Sequence, residues 1–379
     1  MSSRVLRSAA AAAGEDARFM AAALNLARRG LGRVAPNPAV GALIVKDAAV
    51  VGRGATADGG RPHAEILALR QAGELARGAT LYVTLEPCSH HGLSPPCADA
   101  IIAAGIRRVV SALEDPDPRV AGTGHQRLSD AGIEVETGVL AETALRANLG
   151  HVLRTTRGRP MLTLKLAETT DFYAAGPPGT PRLKITGTPA DGRVHMLRAL
   201  NDAVLVGIGT AIADDPLLDV RLAGLEYRKP LRIVLDTHLK LAPSSRLAAS
   251  ARQHPTLVVA GEGAPAEAAA RLVEPGIEVE RMASDPEGHI DLAAALAFLG
   301  ARGLTRVLCE GGPRLGAALI ARNFADEVLL LRGNRALGAN GVPALSPQSR
   351  AALADSRRYR LRETGRIGAD AYAHYERVL

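Results

Sequence analysis

Tryptophan is absent from this 379-residue sequence, and aromatics make up only 3% of it. Its cores must therefore be assembled from Ala, Leu, Val and Ile, and stacking platforms for single-stranded nucleic acid are scarce. Cysteine occurs three times, too rarely for an extracellular disulfide framework. No apolar run approaches the roughly 20 residues that span a bilayer. Nor is there a run of Lys and Arg of the kind that forms a nucleic-acid arm. The opening "MSSRVLRSAAAAAGEDARFM" has no acid before Glu15 and no real hydrophobic stretch. It shares the Ser, Arg and Ala bias of an organelle transit peptide but reads as a frayed extension before a helix. Secretion, membrane spanning and nucleic-acid binding are disfavoured, and a cytoplasmic protein is the default.

What is present is a 47% hydrophobic chain with a formal charge of +7. That size and composition suit two domains with substantial cores, and the basic balance suits anionic partners, here phosphorylated metabolites.

From about Ala39 to Thr137, short apolar runs alternate with helical patterns. "AVGALIV" (39–45), "TLYVTL" (80–85), "RRVVSAL" (107–113) and "IEVETG" (133–138) read as strands, and "HAEILALRQAG" and "CADAIIAAG" as helices. Such alternation predicts a layered α/β domain. "RTTRGRP" (154–160) reads as a linker. A second series of strands follows at 161–167, 202–207, 231–236, 256–260, 305–310 and 326–331, with "DGRVHMLRAL" and "LAAALAFLGARG" among the intervening helices.

Chemistry concentrates first in "RPHAEILAL" and "VTLEPCSHHGLSPPC". His63, Cys88 and Cys97 all fall at element ends, where an α/β domain commonly builds its site. One imidazole and two thiolates are three tetrahedral zinc ligands that leave a fourth position for water, which zinc activates near neutral pH. Glu65 is then the carboxylate placed to shuttle protons. Zinc nucleobase deaminases carry H-x-E followed by P-C-x-x-C; His63-Ala64-Glu65 and Pro87-Cys88 fit, but the second cysteine is nine positions on. Two other readings of these residues stand beside this one. Cys88 and Cys97 can form a disulfide, or His90 or His91 can supply a fourth ligand and close a purely structural site. Cys309 reads as an inert core thiol.

"PNPAVGALIV", "PHAE", "VTLEPCSHHGLSPPC", "AGIRRVV" and "DPDPRVAGTG" together closely resemble the deaminase half of the bifunctional riboflavin-biosynthesis deaminase/reductases, whose zinc cysteines are separated by a long loop. The resemblance implies zinc ligation by His63, Cys88 and Cys97, proton donation by Glu65, and contacts from Asn37 and His90 to a phosphoribosyl-pyrimidine. Two positions depart from the pattern: Thr56 stands where relatives often have His, and Leu93 where they often have a basic residue.

In the second half, "VGIGTAIADDP" (206–216) is a poor dinucleotide fingerprint, because Ile212 replaces its third glycine. "EGGPRLGAAL" (310–319) follows a strand and opens a helix, so amides near Gly311 and Gly312 can hold a phosphate, with Arg314 assisting. A plain Gly-Pro turn explains the segment as well. "RPMLTLKLA", "ITG", "DAVLVGIGTAIADDPLLDVR", "LRIVLD" and "CEGGPRLGAALI" resemble the reductase half of the same family. That resemblance implies a dihydrofolate-reductase-like fold and NADPH. The cofactor would lie along Ala167, Lys184, Thr210, Asp214, Thr237, Gly312, Pro313, Arg314, Leu315, Gly316, Ala317 and Ala318. Substrate would contact Arg182, Arg198, Leu218, Arg221 and Glu310, the arginines suiting a phosphate through charge-assisted bonds. Relatives have S-L-D-G where this chain has Thr169-Thr170-Asp171-Phe172, and Ser and Trp where it has Arg182 and Lys184.

The fold expectation is α/β: a cytidine-deaminase-like three-layer domain over 14–150 and a dihydrofolate-reductase-like domain over 159–379. The functional expectation is a zinc- and NADPH-dependent cytoplasmic enzyme, a homo-oligomer, with no nucleic-acid or membrane partner. It would deaminate 2,5-diamino-6-(5-phosphoribosylamino)pyrimidin-4-one and then reduce the ribosyl to a ribityl chain. Asp171, Lys165 and Glu310 are its conceivable proton donors for the reduction. Its rivals are a zinc deaminase of nucleosides, nucleotides or tRNA with a C-terminal domain of other purpose, and a zinc-stabilised binding protein without catalysis.

Overall fold

The computed structural model describes residues 3–92, 95–118, 120–177, 179–181 and 183–378. The chain divides into two compact units, Met1–Gly158 and Arg159–Leu379.

The first unit runs α1 (Ser3–Arg28), β1 (Gly41–Lys46), β2 (Ala49–Ala55), α2 (Ala64–Ala72), β3 (Thr80–Val83), α3 (Cys97–Ala103), β4 (Arg108–Ser111), α4 (Thr123–Asp130), β5 (Glu134–Thr137) and α5 (Ala141–Arg157). Its sheet has the order β2-β1-β3-β4-β5, with β1 antiparallel to both neighbours and the remaining pairs parallel. Phe19, Met20, Ala23 and Leu24 of α1 and Ala144 of α5 pack with Leu43, Val45, Tyr82 and Val110 on one face. Ala64, Ala68 and Ala72 of α2, Ala98 and Ile101 of α3 and Leu128 of α4 cover Ile44, Leu81, Val83 and Val109 on the other. Three layers result.

Small residues let these layers close. A Cβ at Gly54 would stand 2.1 Å from the Ala64 carbonyl oxygen, one at Gly52 2.3 Å from that of Ala68, and one at Gly41 2.0 Å from that of Ala23. The backbones of α2 and α1 thus rest directly on strand glycines, closer than any side chain allows. The same glycines hid β2: "AVVGRGA" has no clean alternation, and glycine reads as a breaker.

Two expectations change here. The segment read as an N-terminal extension is helical from Ser3. "RTTRGRP" is not a linker throughout, because α5 continues to Arg157 and ends where Gly158 turns left-handed (φ 65) and donates to the Arg154 carbonyl. Arg159 is already anchored, its guanidinium donating to both carboxylate oxygens of Asp326 at 2.7 and 2.8 Å.

The second unit continues with β6 (Met161–Glu168), β7 (Tyr173–Ala175), α6 (Thr188–Ala199), β8 (Ala203–Gly207), α7 (Ile208–Asp214), β9 (Leu231–Leu235), α8 (Arg246–Ala249), β10 (Thr256–Gly261), α9 (Ala266–Val273) and β11 (Glu278–Met282). It is completed by α10 (Leu292–Ala301), β12 (Arg306–Cys309), α11 (Pro313–Ala321), β13 (Glu327–Arg332), β14 (Val342–Pro343), α12 (Pro347–Ala354), β15 (Tyr359–Ile367) and β16 (Asp370–Arg377). Nine strands form one sheet in the order β11-β10-β9-β8-β12-β6-β13-β16-β15. Pairs from β11 to β13 are parallel, and the two involving β16 are antiparallel. The central strands are apolar on both faces, as buried parallel strands must be. The edge strands β11 and β15, and β16 beside the latter, are charged and partly exposed, so a search for apolar runs passes over them.

Gly54→Ala is expected to destabilise the first unit by about 3 kcal/mol, the upper end of overpacking costs. Gly14→Ala, with nothing within 4 Å of its Cβ, should stabilise α1 by about 0.5–1 kcal/mol. Urea midpoints of the two variants check both the sign and the contrast.

Candidate active sites

In the first unit, the end of β3 and the beginnings of α2 and α3 meet. His63 is the N-cap residue of α2 but its side chain makes no capping bond, which leaves the imidazole for another use. Cys97 is the first residue of α3, and its amide donates to the Cys88 sulfur at 3.3 Å. His63 Nδ1 lies 3.3 Å from Cys97 Sγ and 3.8 Å from Cys88 Sγ. The three donor atoms all fall within 4.8 Å of one another. A tetrahedral zinc with ordinary bond lengths separates its ligand atoms by about 3.5–3.8 Å, so this cluster has the dimensions and the donor set for that ion.

Both cysteines are free thiols, so the disulfide reading fails. The cluster includes neither His90 nor His91 among the described residues, which removes the basis for a closed four-ligand site. Cys309 is fully buried, and burial pushes its thiol up to about 12; it is an inert core residue.

The cluster is electrostatically prepared. A hydrogen bond from Cys97, with help from His63, brings the Cys88 thiol down to about 4. The bond to Cys88 and the nearby Glu65 charge raise His63 despite its burial, and Cys97 is raised by Cys88 and by burial. Glu65 is only 3% exposed. Burial raises its carboxyl, which lies within hydrogen-bonding reach of Cys97.

Around the cluster, Asn37 Nδ2 donates to the Gly60 carbonyl at 2.8 Å and braces the turn before α2. His90 lies close enough to Asp115 to influence its ionisation. Thr56 is buried; its hydroxyl accepts from Val40 N at 3.0 Å and donates to the Pro38 carbonyl at 3.1 Å. Leu93 lies outside the described residues.

Sequence reasoning missed Glu86. Its buried carboxylate accepts the amides of Asp115 (3.0 Å), Gly122 (2.9 Å), Gly124 (2.7 Å) and His125 (3.2 Å). Asp115, Gly122, Gly124 and His125 are thereby fastened to Glu86, two residues before Cys88. A glutamate in "VTLEPC", directly after an apolar strand, was the available signal.

In the second unit, the C-terminal ends of β6, β12, β8 and β9 border a cavity of about 1470 Å³, larger than a typical single-ligand pocket. The structure brings Ala167, Lys184, Arg198, Thr210, Asp214, Arg221, Thr237, Glu310, Gly312, Pro313, Arg314, Leu315 and Ala318 to its walls. Gly316 and Ala317 of α11 are not among the lining residues, and a Cβ at Gly316 would stand 3.4 Å from the Leu164 and Leu166 side chains. Leu218 is buried away from the lining with a left-handed backbone (φ 53). Arg182 lies outside the described residues.

Arg198 is not a free phosphate ligand. Its guanidinium forks onto Glu310 at 2.6 and 2.8 Å and donates to the Asp219 carbonyl at 2.9 Å. Burial alone would raise the Glu310 carboxyl, but Arg198 holds it below its ordinary range. Arg221, paired with Asp219 and half exposed, presents the more available cation. Asp171 is held down to about 2 by the Thr169 hydroxyl and the Leu337 and Gly338 amides. Gly312 is the N-cap of α11 without a side-chain cap, and its own amide donates to Thr210 Oγ1 at 3.0 Å. The open amides of that helix therefore begin after Pro313, beside the exposed Arg314. An uncapped helix N-terminus with a cation, facing a large cavity, fits a phosphate-bearing cofactor.

The departure at Phe172 has a structural account. Its backbone is left-handed (φ 74), the conformation glycine adopts without strain. The ring is flanked by Arg332 at 4.9 Å and Arg350 at 4.6 Å, both of which also bond the fully buried Glu168. Two cation–π contacts offset the strain. Lys184, in place of a flat indole, is exposed and lies 3.7 Å from Asp191.

Comparison with known proteins bears on both units. The family model for the cytidine and deoxycytidylate deaminase zinc-binding region matches residues 13–113, and that for the RibD C-terminal domain matches 160–372. Riboflavin biosynthesis protein RibD of Escherichia coli K12 is 38% identical over 372 residues, covering 95% of this chain and 99% of its own. Its Aquifex aeolicus namesake is 38% identical over 363 residues, covering 96% and 98%. Among solved structures, Acinetobacter baumannii RibD superposes with a TM-score of 0.84 at 34% identity, covering 97% of this chain and all (100%) of the other. A Thermotoga maritima diaminohydroxyphosphoribosylaminopyrimidine deaminase/5-amino-6-(5-phosphoribosylamino)uracil reductase gives 0.82 at 32%, covering 97% and 99%.

Glu86→Leu is expected to destabilise the first unit by about 3 kcal/mol or more, since it strands several buried amide donors. Hydrogen exchange at the amides of Asp115, Gly122 and Gly124 should accelerate ahead of the rest of the unit.

Proposed function

The chain belongs to the RibD family of bifunctional riboflavin-biosynthesis enzymes, and from that premise we propose that it carries out both steps on a phosphoribosylated pyrimidine. The first unit removes an amino group from 2,5-diamino-6-(5-phosphoribosylamino)pyrimidin-4-one, and the second reduces the ribosyl of the product to a ribityl chain. The observation that carries the first assignment is the cluster of one imidazole and two free thiols beside a buried carboxylic acid.

His63, Cys88 and Cys97 would hold zinc, with the fourth position left to solvent. Zinc, when bound, supplies the Lewis acidity that makes water a nucleophile near neutral pH. Glu65 handles the protons. Burial raises its carboxyl and so makes the carboxylate a stronger base, which can take one proton from the attacking water and give it to the ring nitrogen, then take the second from the resulting hydroxyl and give it to the departing amine. Asn37 and His90 orient the pyrimidine and its phosphoribosyl group. Glu86 keeps Asp115 and the start of α4 in place.

In the second unit, NADPH would lie across the strand ends along Ala167, Thr210, Asp214, Thr237 and the start of α11, supplying hydride to the sugar C1. Arg314 and the first open amides of α11 hold its phosphate. Arg221 binds the substrate phosphate, and the Arg198–Glu310 pair, bonded to the Asp219 carbonyl, keeps Arg221 at the cavity wall. Lys165 lines the same cavity and is the proton donor this arrangement favours. The enzyme acts on small phosphorylated substrates; among the described residues, no helix is long and apolar enough to cross a membrane. The C-terminal family match and the cavity count against a nucleoside or tRNA deaminase with an idle second unit.

Glu65→Gln should lower ammonia release by about 10²–10⁴-fold while zinc content and NADPH oxidation on the deaminated intermediate persist. Metal analysis beside separate ammonia and NADPH assays checks this, and unchanged ammonia release would reject the site. Chelation of the metal should likewise abolish deamination and spare the reductase.

Arg221→Ala should raise the reductase KM for the phosphorylated intermediate by about 10-fold or more with little change in deamination.

A further inference from the structure

Resting on the reading of Arg221 as the ligand of the substrate phosphate, we infer that His195 is a positioning residue of the reductase, which holds Arg221 at the cavity through that arginine's backbone amide. Arg221 follows α7 in a stretch without regular secondary structure. Leu218 within it is left-handed (φ 53), a conformation that a leucine keeps only when its surroundings impose it. Side chains from outside the stretch do so at alternate residues. Arg232 donates to the Leu217 carbonyl at 3.1 Å, Arg198 donates to the Asp219 carbonyl at 2.9 Å, and His195 Nδ1 lies 3.2 Å from the Arg221 amide. His195 and Arg198 are three residues apart on α6, so one face of that helix supplies the last two anchors.

His195 Nδ1 is also 3.1 Å from the Asp219 carbonyl, and the two contacts exclude one another. The nitrogen donates to the carbonyl only when it carries a proton, and accepts the amide only when it is bare. Its surroundings select the second state. The Asp219 carbonyl already has Arg198 as a donor, whereas His195 Nδ1 is the only acceptor of the Arg221 amide among the described residues. Burial, and then the charges of Arg198 and Arg221, lower the pKa of His195 against the opposing pull of Asp219. Glu310 is near enough to feel the imidazole, but its carboxylate is occupied by the Arg198 fork. The ring is therefore neutral, with its proton on Nε2. Asp219 also pairs with the Arg221 guanidinium, yet both belong to the same stretch, so that ion pair cannot fix either one relative to the cavity. His195 can, because it stands on α6 and lines the cavity itself.

The test uses the full-length enzyme, NADPH, and the deaminated intermediate with and without its phosphate. For His195→Ala, the KM for the phosphorylated intermediate should rise about 5- to 10-fold, with kcat within about twofold. The KM for the dephosphorylated compound should not move, nor should NADPH affinity followed by the fluorescence of the bound nucleotide. His195→Asn, whose Oδ1 replaces Nδ1 as an acceptor, should recover most of the loss, and His195→Gln, whose amide reaches the Nε2 position instead, should not. In an Arg221→Ala background, removing the imidazole should add less than about twofold, because it acts through Arg221. Rescue by Gln and not by Asn would make Nε2 a direct substrate contact and overturn the inference. Equal losses in both Arg221 backgrounds, equal rises for both compounds, an unmoved KM or loss of NADPH binding would overturn it too. Should Arg221→Ala itself leave the KM for the phosphorylated intermediate unchanged, the reading of Arg221 fails, and this inference with it.

Discussion

The first unit depends on how closely a helix can approach a sheet. Gly52 and Gly54 let the backbone of α2 lie on β2, where Ala64, Ala68 and Ala72 present nothing larger than a methyl group. This contact sets the height of the α2 N-terminus, and so of His63 and Glu65, relative to the end of β3. With a side chain at either glycine the helix would ride outward, and an imidazole now 3.3 Å from one sulfur and 3.8 Å from another would lose that spacing. Metal geometry tolerates only a few tenths of an ångström. An aromatic-poor, Ala- and Gly-rich composition is thus part of how the site is made.

Buried carboxylates then fasten the loops that the sheets leave free. Glu86 gathers four backbone amides in the first unit. In the second, Glu310 holds Arg198, Asp326 holds Arg159 and Arg377, and Glu168 holds Arg332 and Arg350. Donors surround each of these acids, taking the place of the water its carboxylate gives up. Such arrangements do little for net stability, but they break severely when one member is removed. Their value lies in placing loops, and the loops carry the chemistry.

Much of this was visible in the sequence, for definite reasons. The parallel strands are buried on both faces and appear as short apolar runs, so β6, β8, β9, β10, β12 and β13 were readable. His63, Glu65, Cys88 and Cys97 stood out because few other arrangements combine those residue types at element ends. Strand β2 was hidden by the glycines it needs, and β11, β15 and β16 by charges on exposed faces. Glu86 went unnoticed because its partners are backbone amides, which carry no residue code. That Arg198 pairs with Glu310, more than a hundred positions away, could not be read from the sequence. Phe172 looked like a loss, although its ring has two guanidinium neighbours.

Gly158 closes α5, and the very next residue is already tied to Asp326. A single left-handed glycine is all that separates two folding units on one polypeptide. Translation consequently delivers both in equal number, whatever the level of expression. Any promoter change, degradation signal or dilution at cell division scales two consecutive reactions together, so the ratio of their capacities is set by turnover constants rather than by gene dosage.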